Sequence, residues 1–246
     1  MPEVTFRFHG ELNDFLPGGR REVGFRHRVA GHSTLKDAIE ALGVPHPEIG
    51  RVVVDGRPVE LDARVEEGAA IEVFPVAPDE PPDPAHPPRF ALDGHLGRLA
   101  RYLRALGIDA TYDRDADDER LAESAATEGR ILLTRDVGLL KRSRVVRGYW
   151  LRADDPEAQL ADVVRRFRLL AVARPFGRCL RCNTELEDVA RAEVLDRLPP
   201  RTRVEFDEFR RCRVCGRIYW KGSHYDRMRQ LLEGLQRLED GSAPTR

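Results

Sequence analysis

The chain has 246 residues, long enough for one to two domains with separate cores, and 41 Lys+Arg nearly balance 42 Asp+Glu. No stretch approaches the roughly 18 apolar residues of a membrane span, and the start, MPEVTFRFHG, lacks the apolar run of a secretion signal, so a cytoplasmic protein without membrane contact is expected. The balance hides an asymmetry: residues 1–88 hold 9 Lys+Arg and 16 Asp+Glu, a net of −7, whereas residues 89–246 hold 32 and 26, a net of +6, and basic charge favours phosphate-rich partners.

Residues 4–8 (VTFRF) and 22–26 (EVGFR) alternate apolar and polar, as half-buried strands do, around a turn region with Pro17, Gly18 and Gly19. Thr34-x-x-Asp37 is a capping-box start to the helix LKDAIEALG. Strands follow at Val52–Val54 and Ile71–Val76, with the turn Asp55-Gly56 between them. This β-β-α-β-β order predicts an α+β β-grasp domain over residues 1–77. Residues 78–88 (PDEPPDPAHPP) hold six prolines and read as an extended, semi-rigid linker.

Next, Phe90–Leu92, Ile108–Tyr112 and Ile131–Thr134 are short apolar runs that lead into Asp93, Asp113 and Asp136. Between them, Leu96, Leu99, Ala100, Leu103 and Leu106, then Leu121, Ala122, Ala125 and Ala126, have helical spacing, and Gly107 and Gly129 stand as C-terminal caps. Strand–helix–strand–helix–strand implies parallel strands with right-handed crossovers. Ligands of such sheets bind outside the carboxyl ends of the strands. Asp93 and Asp136 fall at two such ends, and Asp113, Asp115, Asp117 and Asp118 crowd the third, a set suited to Mg²⁺ or Mn²⁺. Aspartate is also a favoured helix N-cap, and a cap can serve as a ligand too.

Lys141, Arg142, Arg144, Arg147 and Arg152 then interleave with Tyr149 and Trp150. That pattern suits a nucleic-acid path or a buried strand, Val145–Leu151, with charged flanks, and the strand is the preferred reading for the two aromatics. Residues 156–171 read as a helix. Cys179-x-x-Cys182 and Cys212-x-x-Cys215 are two thiolate pairs able to close a tetrahedral, structural Zn²⁺ site, with a hairpin expected between them around Val194–Leu198 and Val204–Phe209. Beyond them, Lys221 and His224 are candidates to hold a phosphate, with Ser223 capping a last helix; Arg98, Arg135 and Lys141 are further phosphate candidates.

FALDGHLGRLARYLRALGIDATYD, then DDERL, GRILLTRD, RCLRCNTEL and CRVCGRIYWKGSHYDRM, resemble in that order the Mut-seven C-terminal RNase family. The resemblance covers residues 89 to 228. It implies an α/β PIN-like parallel sheet (89–174) with a C-terminal zinc ribbon and helix (175–240). It also implies Asp93, Asp118 and Asp136 as acidic metal ligands, Asp117 or Asp115 as a fourth, and RNA as the substrate. The N-terminal segment is similar to the ubiquitin-like module that precedes some members, and more distantly to sulfur carriers. Those carriers end in Gly-Gly, whereas here the chain runs on through VFPVAPDE, so sulfur carriage is not expected; the readings left are docking of a partner, with the acidic charge against direct RNA binding, and structural support alone. The function expected is a metal-dependent ribonuclease. The alternatives are a non-catalytic RNA-binding adaptor and a phosphatase or phosphoacceptor of similar topology.

Overall fold

Strand β1 (Glu3–Phe8) turns Val4, Phe6 and Phe8 inward and the intervening side chains outward. It pairs antiparallel with β2 (Phe25–Arg28) and parallel with the later strand β5 (Ala70–Pro75). Expected at 22–26, β2 begins later because Gly18–Arg20 makes a 3-10 turn and Glu22 takes φ +57°. Helix α1 (Leu35–Ala41) starts at Thr34 with a complete capping box: Asp37 donates its N–H to Thr34 Oγ1 at 3.1 Å, and Thr34 donates its own to Asp37 Oδ2 at 3.1 Å. Strands β3 (Ile49–Val54), β4 (Arg57–Val59) and β5 (Ala70–Pro75) complete a sheet of order β2-β1-β5-β3-β4, the β-grasp arrangement. The β3–β4 turn needs left-handed backbone at Asp55 and Gly56 (φ +48° and +81°), which those residue types tolerate. The core of this sheet gathers Phe6, Phe8, Leu12, Leu35, Ile39 and Ile71.

Further along lie β6 (Phe90–Leu92), α2 (Gly97–Ala105), β7 (Ala110–Tyr112), α3 (Asp118–Thr127), β8 (Ile131–Thr134), α4 (Val137–Leu140), β9 (Gly148–Trp150) and α5 (Pro156–Arg166). β6 pairs parallel with β7, and β8 pairs parallel with β9. Gly107 (φ +81°) and Gly129 (φ +63°) end α2 and α3 in the left-handed conformation. Helix α5 stops short of the expected residue 171, because Arg168 turns left-handed (φ +48°) into a 3-10 turn, Leu169–Val172.

The cysteine-rich part holds β10 (Leu186–Val189), α6 (Arg191–Val194), α7 (Pro200–Glu205), β11 (Phe209–Cys212), β12 (Ile218–Trp220) and α8 (Ser223–Glu239). β10, β11 and β12 form an antiparallel sheet in that order. Where a hairpin is expected around Val194–Leu198 and Val204–Phe209, the chain instead turns through short helices as far as Glu205, and strand begins only at Phe209. Pro200 falls in the first turn of α7, where its missing N–H costs nothing, and Arg203 donates back to the Pro199 carbonyl at 3.1 Å. Val194, Leu198 and Phe209 form the small core under these turns.

This computed structural model describes residues 1–78 and 80–239, without the side chains of residues 224, 227, 228, 238 and 239. Two units result: Met1–Pro78 with Asp117–Leu151, and the described part of 79–116 with that of 152–246.

Candidate metal centre and acidic residues

Cys179 and Cys182 frame one tight turn and Cys212 and Cys215 another, built on the same plan. Asn183 donates its N–H to the Cys179 carbonyl and Gly216 to the Cys212 carbonyl, each at 2.9 Å, and both residues are left-handed (φ +65° and +67°). Within each turn the second cysteine's N–H points at the first one's sulfur: Cys182 to Cys179 at 3.4 Å and Cys215 to Cys212 at 3.5 Å. The four Sγ atoms all lie within 4.8 Å of one another, so the cluster can hold a metal ion. Such crowding resists ionisation of every thiol at once. Burial and the neighbouring sulfurs push Cys182 up to about 12. At Cys212 burial is outweighed by the Thr184 hydroxyl and the backbone N–H groups of Cys215 and Val214, and the thiol falls to about 6. Tyr219 Oη sits 3.1 Å from Cys179 Sγ, and burial followed by that sulfur raises the phenol.

The first cysteine turn is stitched to β7 and α2. Asn183 accepts the Ala110 N–H on Oδ1 (3.0 Å) and donates from Nδ2 to Asp109 (2.7 Å). Arg104, 5% exposed, donates from Nε to the Ala110 carbonyl and from Nη1 to the carbonyls of Leu180 and Arg181. Sequence reasoning missed both Asn183 and Arg104, because their partners lie over 70 residues away in sequence for all but one of these bonds.

Asp93 directly follows β6 and is half-buried. Its loop, Asp93-Gly-His-Leu-Gly, is shaped by close approaches. A Cβ on Gly94 would meet the Arg114 carbonyl at 2.8 Å, one on Gly97 would meet Tyr112 Oη at 2.8 Å, and that hydroxyl donates to the Gly94 carbonyl at 2.9 Å. Tyr112 therefore reads the two glycines.

In the other unit, Asp117 rather than Asp118 caps α3, accepting from the Arg120 N–H at 2.8 Å, while Asp118 Oδ2 lies 3.3 Å from Arg142. Asp136 caps α4 through Oδ1, accepting from Gly138 (2.7 Å) and Leu139 (3.4 Å). Asp113 and Asp115 are exposed, and Asp113 Oδ1 accepts the Asp115 N–H at 3.1 Å.

Among the phosphate candidates, Arg98 is exposed on α2. Arg135 is exposed after β8, its carbonyl accepting from Trp150 Nε1 at 3.1 Å. Lys141 Nζ donates to the Glu40 carbonyl at 2.7 Å, and Lys221 pairs with Glu208. The side chain of His224 lies outside the described residues. No described helix is long and apolar enough to cross a membrane.

The family described as "Mut7-C RNAse domain" matches residues 88–232, and "Mut7-C ubiquitin" matches residues 1–80. The chain belongs to the Mut7-C RNase family and carries its ubiquitin-like domain at the N-terminus. It is 32% identical over 185 residues to a human protein, "Exonuclease mut-7 homolog"; that match takes in 73% of this chain and spans 18% of the relative's length. Two solved structures, of the small archaeal modifier protein 1 of H. volcanii and of SAMP1 from Haloferax volcanii, are also similar. They are 21% and 20% identical, cover 31% and 32% of this chain and 100% and 99% of their own, and each has a TM-score of 0.26.

Proposed function

We propose that the chain is a metal-dependent ribonuclease whose PIN-like sheet carries the reaction and whose cysteine turns form a structural zinc ribbon. The observation that carries the reading is the placement of aspartates within the family-matched residues. Asp93 directly follows β6 and Asp136 comes two residues after β8, each strand half of a parallel pair. Carboxyl ends of parallel strands are where α/β folds bind their ligands.

Asp93, Asp118 and Asp136 would hold Mg²⁺ or Mn²⁺, with Asp117 as a fourth carboxylate. The ion, when bound, supplies a water of lowered pKa and a positive charge for the leaving oxygen. The chain's own work is to orient the carboxylates. The α4 cap fixes Asp136 through Oδ1 and leaves Oδ2 outside the cap. Arg98 and Arg135 would neutralise the phosphodiester. Lys141 and Lys221, each engaged with a backbone or carboxylate oxygen, would act from those anchored positions. Four soft thiolates in one cluster suit Zn²⁺, and with all four ligands from protein the ion would brace the fold and take no part in the chemistry. The ubiquitin-like domain would dock a protein partner.

The test is incubation of the full chain with labelled single-stranded and structured RNAs in Mg²⁺ or Mn²⁺, beside Asp136→Asn. Cleavage that requires the metal and falls about 100-fold or more in the variant is the expected result. RNA bound but left intact by both proteins would sink the nuclease and favour the adaptor.

A further inference from the structure

Helix α2 buries Leu99, Ala100 and Leu103, and its amphipathic pattern leaves Arg98 and Arg101, three residues apart, on the exposed side. Like charges at that spacing repel, and a cation in a helix's first turn opposes the macrodipole; no acidic residue in that turn offsets Arg98. The two cysteine turns add Arg181 and Arg217, both exposed. These four guanidiniums and His95 line one cleft of about 690 Å³. Among the described residues, none of the four side chains has an ion-pair partner or a hydrogen bond. Several arginines elsewhere are paired with carboxylates: Arg142 with Asp118, Arg210 with Asp188, and Arg211 and Arg213 with Glu187. Four unneutralised guanidiniums around one concavity call for an anion with several charges.

A second cavity, of about 490 Å³, adjoins the first: Arg101 and Leu180 line both. Its walls are aromatic, with Tyr102, Phe176, Tyr219, Trp220 and Tyr225 half-buried. Aromatic faces beside a run of unpaired guanidiniums are what a single strand needs, since phosphates track the charges while unstacked bases lie on the rings. A duplex keeps its bases stacked inside and gains nothing from the rings.

We propose that the arginine cleft and the aromatic groove form one track for single-stranded RNA. Phosphates cross Arg98, Arg101, Arg181 and Arg217, and bases stack against Tyr102 and Tyr225. The track rests on the ribonuclease reading and narrows its substrate to unpaired RNA, led over the face where α2 meets the cysteine turns.

The experiment measures binding by the full chain carrying Asp136→Asn, without added Mg²⁺, so that cleavage does not enter. The probes are a fluorescent single-stranded RNA, the same sequence as a duplex, and an abasic ribose-phosphate strand of equal length. Single-stranded RNA is expected to bind more tightly than either. Arg101→Gln and Arg217→Gln each lower the slope of log affinity against log salt by about 0.7. Tyr225→Leu weakens single-stranded RNA about fivefold or more while sparing the abasic strand, which a merely structural or electrostatic role would not do. Thermal unfolding and zinc content confirm that each variant keeps its fold. Equal affinity for duplex and single strand, or unchanged binding in folded Arg101→Gln and Tyr225→Leu, overturns the track. Cleavage is scored separately with Asp136 intact: binding as described without cleavage defeats the ribonuclease reading and leaves the track, whereas cleavage unaffected by the three variants does the reverse.

Discussion

Asp136 answers to two demands with one side chain. As the N-cap of α4 it accepts from two backbone N–H groups through Oδ1; as a proposed metal ligand it must also present charge. Asparagine caps a helix as well as aspartate does but brings no charge, whereas alanine loses the cap as well. Asp136→Asn is therefore expected to unfold within about 0.5 kcal/mol of the wild type and Asp136→Ala about 1 kcal/mol earlier, measured by urea titration, with both inactive. Asp118 makes the contrast. It is the first residue of α3, the cap is Asp117, and its exposed pair with Arg142 is of a kind that contributes little. That an aspartate ends each apolar run was legible in the sequence. Which of two adjacent aspartates caps was not, because Asp117 and Asp118 have the same chemistry and differ only in backbone conformation. Asn183 and Arg104 left no signal at all, since residues distant in sequence define their roles.

Elements with a strong period were the most legible. α2 and α3 stand where the 3.6-residue spacing and the terminal glycines put them, and the Thr34–Asp37 box opens α1. β4 and β10 were not foreseen, being three and four residues long and carrying Pro58 and the adjacent acidic residues Glu187 and Asp188 respectively. β10 owes its place to pairing with β11, where Glu187 stands opposite Arg211. Glu187 accepts from Arg213 Nε at 2.5 Å and from Arg211 Nε and Nη2 at 3.1 and 3.0 Å. The Arg213 hydrogen bond first, and the Arg211 bonds next, hold its carboxyl below the ordinary 4.5. A carboxylate whose pKa is lowered by folding contributes its stability in full above the unfolded value and loses it as the pH falls through the folded one. Below pH 4.5 the wild type is therefore expected to lose melting temperature faster than Glu187→Gln, with the gap between them constant above it. Melting curves stepped through the acid range check this, and parallel acid limbs would mean the pair carries no folding linkage.

At the scale of the molecule, the ubiquitin-like domain is built into the chain that follows it. Its Glu48, 3% exposed, accepts the backbone N–H of Trp150 in β9 at 2.6 Å, and Phe15 packs on the Trp150 ring with centroids 4.7 Å apart. Lys141 at the end of α4 donates to the Glu40 carbonyl, and His46 bridges the Glu40 carboxylate and the Val145 carbonyl at 2.7 Å each. All of these bonds but His46–Glu40 join residues about a hundred apart in sequence, which is why a proline-rich linker read as a boundary and the fastening went unread. Physically, the contact supplies an acceptor to a strand N–H, and strands with unmet backbone groups recruit other chains. Glu48→Ala removes that acceptor from the half-buried Trp150 N–H, a loss of about 1 kcal/mol. Glu48→Gln keeps an oxygen in place and gives back much of it. The ordering wild type, then Gln, then Ala should appear in urea midpoints, and amide exchange at Trp150 should quicken in the Ala variant alone. Exchange at Trp150 that ignores both substitutions would show that β9 is protected without the domain, and the fastening would then be a contact with no hold on the strand.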